Sequence, residues 1–330
     1  MNALELSIAV GDYDHIRDLL SGDVAVDGVK LRVVKKHPVE EIFYRFTKYR
    51  EWDISEMSFA KYVSMASQPG CDLVAIPVFP SRAFRHSSIY VRNDSAIGSA
   101  ADLAGKRIGI PEWAQTASIY TRGMLVHEYG VALDSVDWVQ AGVNEPGRTE
   151  KVALKIPSGV RYTPMPHSSL SDLLAAGQID AVFSARAPSA FLRKDSNIKR
   201  LFGDPKAAEL AYWKKTGIFP IMHVVALRRE IVQRNPWVAM NLLQAFEAAK
   251  QRSLERMLDI TASHAPLPWL SSYAEQSREI LGEDFWPYGV EANRVTLSAF
   301  LDFAWEQGVC HRALAPEDIF VESTLSSVRV

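Results

Sequence analysis

The sequence predicts an α/β protein of two lobes that meet at a hinged cleft. Three observations predict it. Short apolar runs with strand alternation take turns with segments of helical periodicity, the pattern of layered α/β folds. A polar stretch at 93–105, rich in Asn, Asp, Ser, Ala and Gly, separates two such series. A strong apolar strand then reappears late, at Ile221–Leu227. If that strand rejoins the first sheet, the chain crosses between lobes near 94 and 220. The expected division is then 1–94 with 221–330 as the first lobe and 95–220 as an inserted second lobe.

The elements follow in order. Leu4, Leu6, Ile8 and Val10 alternate with Glu5, Ser7 and Ala9 as a half-buried strand, ended by Gly11-Asp12-Tyr13-Asp14. A short helix carries Ile16, Leu19 and Leu20, and Val29, Leu31 and Val33 alternate as a second strand. The 39–49 segment is helical, with Ile42, Phe43 and Phe46 on one face. A short strand at 53–55 leads into Glu56-Met57-Ser58, and strands follow at 73–78 and 88–92. After the polar stretch come a strand at 107–111, a helix from Thr116 closed by Gly130, and a strand at 136–139. Residues 142–161 read as irregular; a helix at 170–176 stops at Gly177, and 179–183 is a strand. Asn235-Pro236 predicts a capped helix start, and two further helices span 271–281 and 291–307. Pairing is expected to be largely parallel, with ligands at the strands' carboxyl ends facing the cleft.

Composition narrows the function. The 330 residues are 48% hydrophobic and 23% charged, with a net charge of -2, which gives no case for nucleic acid or an acidic membrane. The opening Met-Asn-Ala-Leu-Glu-Leu has no secretory pattern, and no apolar run approaches spanning length, so a cytoplasmic location is expected. Cys71 and Cys310 have no metal or redox spacing.

Local charge then marks the candidates. The stretch 77–92 carries Arg82, Arg85, His86 and Arg92 with no acidic residue, directly after an apolar strand. Arginine forks match carboxylates, and two prolines with two phenylalanines make this a stiff loop suited to an anion. Glu112 precedes a helix opening at Thr116; it is a candidate proton donor or an arginine partner, while Thr116 either adds a hydroxyl or simply caps. Arg122, further along that helix, reaches either the cleft or solvent. Ser58 donates to a carboxylate or closes a turn. Arg148 sits in a turn-rich loop that can close over a ligand, and Arg186 follows a strand's carboxyl edge. His223 lies in an apolar strand, as a core residue or as an acid/base group beside the second crossing. Asp12 and Asp14 after the first strand either face the cleft or serve the turn, and turn chemistry explains them adequately. Glycine-rich phosphate loops, a zinc-protease helix and a nucleophile elbow are absent from the sequence. His37, His127, His167, His264 and His311 show no metal spacing.

Several strings together resemble the 4,5-dihydroxyphthalate decarboxylase family. They are Ser55-Glu56-Met57-Ser58, the 76–87 run Ile-Pro-Val-Phe-Pro-Ser-Arg-Ala-Phe-Arg-His-Ser, Arg122-Gly123, the 216–223 run Thr-Gly-Ile-Phe-Pro-Ile-Met-His and the 285–293 run Phe-Trp-Pro-Tyr-Gly-Val-Glu-Ala-Asn. Asp-Leu-Ala-Gly-Lys-Arg at 102–107 is generic to the wider fold. The resemblance implies a periplasmic-binding-protein-like fold of type II. It also implies non-oxidative loss of carbon dioxide from a dihydroxylated aromatic diacid, giving protocatechuate. On that chemistry Arg82, Arg85 and Arg148 clamp two ring carboxylates; Arg122 and Arg186 remain substrate-binding candidates from their own positions. His86 or His223 protonates the ring, with Glu112 as alternative, and Ser58 and Thr116 orient it. The scheme needs no organic cofactor; a divalent metal on the catechol oxygens is compatible with it, without assigned ligands. The 152–167 loop departs from the family and bears on substrate choice. A solute-binding protein for an aromatic carboxylate, or a relative acting on another small aromatic acid, are the competing expectations. The aromatic-rich C-terminal third suits a homo-oligomer.

Overall fold

The computed structural model describes residues 3–34 and 38–326, so His37 lies outside the described residues. The chain opens with β1 (Leu4–Ala9), α1 (Asp14–Ser21), β2 (Val29–Val33), α2 (Val39–Tyr49), β3 (Ile54–Ser58), α3 (Phe59–Ala66) and β4 (Leu73–Ile76). The middle contains β5 (Ile89–Arg92), β6 (Arg107–Ile110), α4 (Thr116–Tyr129), β7 (Asp137–Gly142), β8 (Arg161–Ser169), α5 (Leu170–Ala175), β9 (Ala181–Phe183), β10 (Ile198–Arg200) and α6 (Pro205–Thr216). It closes with β11 (His223–Arg228), α7 (Arg229–Arg234), α8 (Val238–Leu258), α9 (Leu270–Leu281) and α10 (Arg294–Glu306).

Two sheets form, in the orders β2-β1-β3-β11-β4 and β10-β5-β9-β6-β7-β8. The late strand does rejoin the first sheet, wedged between β3 and β4. The first crossing is earlier than expected. Strand β5 pairs with β9 and β10 of the second sheet, so the chain changes lobe within 77–88 rather than near 94. Both sheets are mixed, not largely parallel. Strands β5 and β11 each enter from the opposite lobe and run antiparallel to their neighbours. The two crossings lie side by side: Ala83 N–H donates to Pro220 O at 3.1 Å and Met222 N–H to Ser81 O at 2.8 Å. A paired double crossing of this kind is a hinge that also fixes the loop beside it.

The apolar core runs through both lobes. Phe59 of α3 stacks on Phe300 of α10 at 4.6 Å, and Tyr120 of α4 packs on the same ring at 4.8 Å. Helix α10 therefore braces both lobes. Gly123 permits this, because a Cβ there would stand 2.3 Å from the Phe303 ring. One predicted cap is different: Asn235 closes α7, its backbone N–H bonding Ile231 O, and α8 begins only at Val238. Among the described residues no helix is long and apolar enough to cross a membrane.

Candidate active site

A cavity of about 670 Å³ lies between the lobes. The ends of several strands converge on it. Ser58 closes β3, His223 opens the antiparallel β11 beside it, and Glu112, Val143 and Ser184 follow β6, β7 and β9. This is the crevice at strand ends where α/β folds bind ligands. Phe43, Val39, Val143, Val152 and Met222 give it apolar walls.

Sheet register builds one buried carboxylate–histidine pair. His223 lies opposite Ser58, and Glu56 is two residues back along β3, on the same face. The diagonal neighbours therefore meet: His223 Nδ1 lies 2.6 Å from Glu56 Oε1. Glu56 is fully buried. Its Oε2 accepts from Gly11 N–H at 2.7 Å, and its Oε1 from the Tyr13 hydroxyl at 2.7 Å. A carboxylate on Nδ1 orients the imidazole and fixes its tautomer, as in other carboxylate–histidine pairs. The Phe43 ring meets His223 edge-on at 4.8 Å.

On the opposite wall Glu112, 2% exposed, is held by cations. Lys61 Nζ lies 2.6 Å from one oxygen; Arg148 Nε, at 2.8 Å, and Lys151 Nζ, at 3.6 Å, approach the other. Burial alone would raise its pKa, but Lys61, Arg148 and Lys151 outweigh it and bring it below the usual range. Glu112 is thus held as a carboxylate and is the partner of Arg148. Lys61 also binds Glu150 at 2.8 Å.

The side chains of the basic loop divide in placement. Arg85 lines the cavity, and its Nε contacts only the Met222 sulfur, at 3.2 Å. It has no ion pair among the described residues. Burial brings its pKa down to about 10, so it remains a cation at neutral pH. Arg82 turns away from the cavity. Its guanidinium donates to Phe219 O at 3.1 Å, to Pro287 O at 2.7 Å and to Asn293 Oδ1, tying the loop to the second crossing and the C-terminal segment. His86 also misses the cavity. It is 1% exposed, makes no hydrogen bond through either ring nitrogen, and packs against Phe202 and Tyr212 at 5.0 and 5.3 Å. Burial pushes its pKa down to about 4, which keeps the ring neutral. Arg122 is fully buried behind the site. It stacks 3.9 Å from the Trp113 ring and bonds Gln307 Oε1 and Trp113 O.

The remaining candidates line the cavity. Thr116 Oγ1 accepts from Ala60 N–H at 3.0 Å and meets Ser58 Oγ at 3.1 Å. A side chain of the second lobe therefore caps helix α3 of the first. Arg186 pairs with Glu40 of α2, a second bridge between the lobes. Among the described residues no group of three or more His, Cys, Asp or Glu side chains is arranged to hold a metal, and none is assigned as a metal ligand.

The model of the ABC transporter, phosphonate, periplasmic substrate-binding protein family matches residues 11–234. A 4,5-dihydroxyphthalate decarboxylase from Comamonas testosteroni is 41% identical over 331 residues, covering all of both chains. The chain belongs to the 4,5-dihydroxyphthalate decarboxylase family. A second decarboxylase of that name, from Pseudomonas putida, is 44% identical over 65% of this chain and 83% of its own length. Among solved structures, the periplasmic aliphatic sulphonate binding protein SsuA from Escherichia coli aligns with a TM-score of 0.52 at 12% identity. It covers 97% of this chain and 98% of its own. That likeness shows the fold, a periplasmic solute-binding-protein-like pair of α/β lobes.

Within this decarboxylase family fold, several charged residues at the site escaped the candidates drawn from sequence, among them Glu56, Lys61, Glu150 and Lys151. Glu56 carried a signal: a carboxylate two residues before Ser58 in an otherwise strand-like run falls on Ser58's face. Lys61 is one turn beyond Ser58 on α3, a helix that sequence reading missed. Glu150 and Lys151 lie in the irregular 142–161 segment, where no periodicity indicates direction.

Proposed function

We propose that this chain, a carboxy-lyase, converts 4,5-dihydroxyphthalate to protocatechuate and carbon dioxide by protonating the ring carbon that bears the departing carboxylate. The observation that carries the reading is the charge of the cavity around the braced His223. Six cationic side chains line it (Lys48, Lys61, Arg85, Arg148, Lys151 and Arg186) against the carboxylates of Glu40 and Glu112. Counting Glu56 and Glu150 behind the wall still leaves an excess of two positive charges with His223 neutral and three with it protonated, which suits a dianion. Arg85, without an acid partner, is the natural clamp for one carboxylate. Arg148, Lys151 and Lys61 supply field on the other side. The apolar walls hold the ring.

The chemistry is a proton transfer followed by bond cleavage. His223, as imidazolium held by Glu56, donates from Nε2 to the ring carbon. The hydroxyl para to that carbon supplies electron density, with Ser58 and Thr116 orienting the substrate. The electron pair of the carbon–carboxylate bond then returns to the ring, neutral carbon dioxide leaves, and aromaticity is restored. His223 is left neutral and regains its proton from solvent. Closing the lobes excludes water from the charged intermediate.

Incubation of the purified protein with 4,5-dihydroxyphthalate tests this directly: carbon dioxide and protocatechuate should appear in equal amounts. A second reading, a binding protein for an aromatic carboxylate, is favoured by the match to the substrate-binding family model. Tight binding of the same compound with no carbon dioxide released would select it.

A further inference from the structure

Behind His223 the structure contains a brace of which the proposed reaction uses only Glu56. Tyr13 follows β1 at the start of α1, and its hydroxyl donates to the same Glu56 oxygen that holds His223. Gly11 N–H donates to the other oxygen. All three donors thus fix one buried carboxylate in position and rotation. The approach is tight: a Cβ on Gly11 would stand 2.6 Å from Tyr13 Cε2 and 3.1 Å from Glu56 Oε2. Tyr13 is fixed in turn by His15, whose ring lies 5.3 Å from it and 5.4 Å from Trp286.

We propose that Tyr13 is a positioning residue for the proton donor: its hydroxyl, with Gly11 N–H, locks Glu56 so that Glu56 keeps His223 Nε2 turned to the cavity. The proposal rests on His223 being the donor. Titration of the neighbours leaves the brace intact at neutral pH. Burial first, and then the charge of Glu56, push the Tyr13 phenol well above its usual range, so it stays a donor. Burial holds His15 down to about 4, so it is neutral and does not compete for Glu56 as a cation. Glu40 is the other charged group that acts on Tyr13, and Arg186 pairs with it.

The test uses Tyr13→Phe, Glu56→Gln, the double variant and His223→Asn in the full chain. A hydrogen bond to a charged group corresponds to roughly ten-fold or more in rate if it acts in the transition state. Tyr13→Phe keeps the ring against His15 and should lower kcat about ten-fold, with KM and the ligand-free melting temperature little changed. Glu56→Gln should cost more, and the double variant no more than Glu56→Gln alone, because Tyr13 acts through Glu56. The His223 Nδ1–H proton resonance gives a readout without turnover: Tyr13→Phe should move it and His223→Asn should remove it. Wild-type kcat in Tyr13→Phe, multiplying losses in the double variant, or an unmoved resonance would each overturn the proposal. If His223→Asn itself keeps wild-type kcat, the donor assignment fails and takes the proposal with it. A collapse in His223→Asn beside an unaffected Tyr13→Phe sinks the brace alone.

Discussion

Replacing Arg85 with Met should make the ligand-free protein more stable while destroying its use of substrate. Methionine keeps most of the apolar stem volume and removes the charge. In the native protein that guanidinium contacts a sulfur and no acid. Its pKa, down to about 10 from an ordinary 12.5, corresponds to a desolvation penalty of at most about 3 kcal/mol. The sign is that of a cation with a depressed folded-state pKa. The penalty is fully present below pH 10, and so at neutral pH, and is relieved as pH rises through that value. Removing the charge should raise the ligand-free melting temperature by about 2–5 °C. The same change deletes a charge-assisted clamp in an enclosed site, a loss of about 10²–10³-fold in kcat/KM. The assay is a thermal melt with and without 4,5-dihydroxyphthalate, beside steady-state carbon dioxide release. Wild-type stability should rise with substrate, whereas Arg85→Met should start higher and respond little. A melting temperature several degrees below wild type, or unchanged kcat/KM, would refute the reasoning and make Arg85 a structural residue.

Other outcomes follow from the same geometry. His223→Asn should lower kcat by about 10²–10⁴-fold while substrate still raises the melting temperature; His86→Phe should turn over at close to the wild-type rate, and the reverse pattern would exchange their roles. His86 and His15 are both held neutral down to about 4. Urea midpoints should therefore be flat above pH 6.5 and fall from there towards pH 4, as the unfolded chain takes up protons that the native chain refuses; each contributes at most about 3 kcal/mol, and His86→Phe should flatten the fall. Thr116→Val removes the oxygen that caps α3 from the other lobe and should cost about 1 kcal/mol of stability with a several-fold rise in KM, both read in one titration series. An unchanged KM would mean that this bridge contributes nothing to the closed, substrate-bound form.

Much of the fold was legible because its boundaries are chemical. Helix α4 runs from Thr116 to Tyr129 and closes at Gly130, where the periodicity and the stop signal agree. Helix α3 was missed because it follows β3 with no Gly or Pro between them. Strand β8 was missed because it contains Pro164 and Pro166, tolerable only because β8 is an edge strand. Helix α6 has Asp204 and Pro205 as start signals, but only Tyr212 of its residues is buried, so it shows no apolar stripe. The candidate site was legible as a place more than as a set of side chains. Arg82 and Arg85 are three residues apart in a non-helical loop, where spacing does not say which one turns inward. Hydrogen bonds that Arg82 donates to acceptors on 219, 287 and 293, all distant in sequence, turn it away from the cavity. The partnership of Glu56 with His223 needed the register of β3 against β11, which no local pattern contains.

Turnover of 4,5-dihydroxyphthalate in heavy water, followed by carbon dioxide release and by mass and NMR analysis of the product, tests the central claim most directly. Protonation by His223 at the carbon losing its carboxylate predicts carbon dioxide and protocatechuate in equal amounts, with one deuterium at the vacated ring position. Binding without carbon dioxide, or a product with no deuterium at that position, would contradict it.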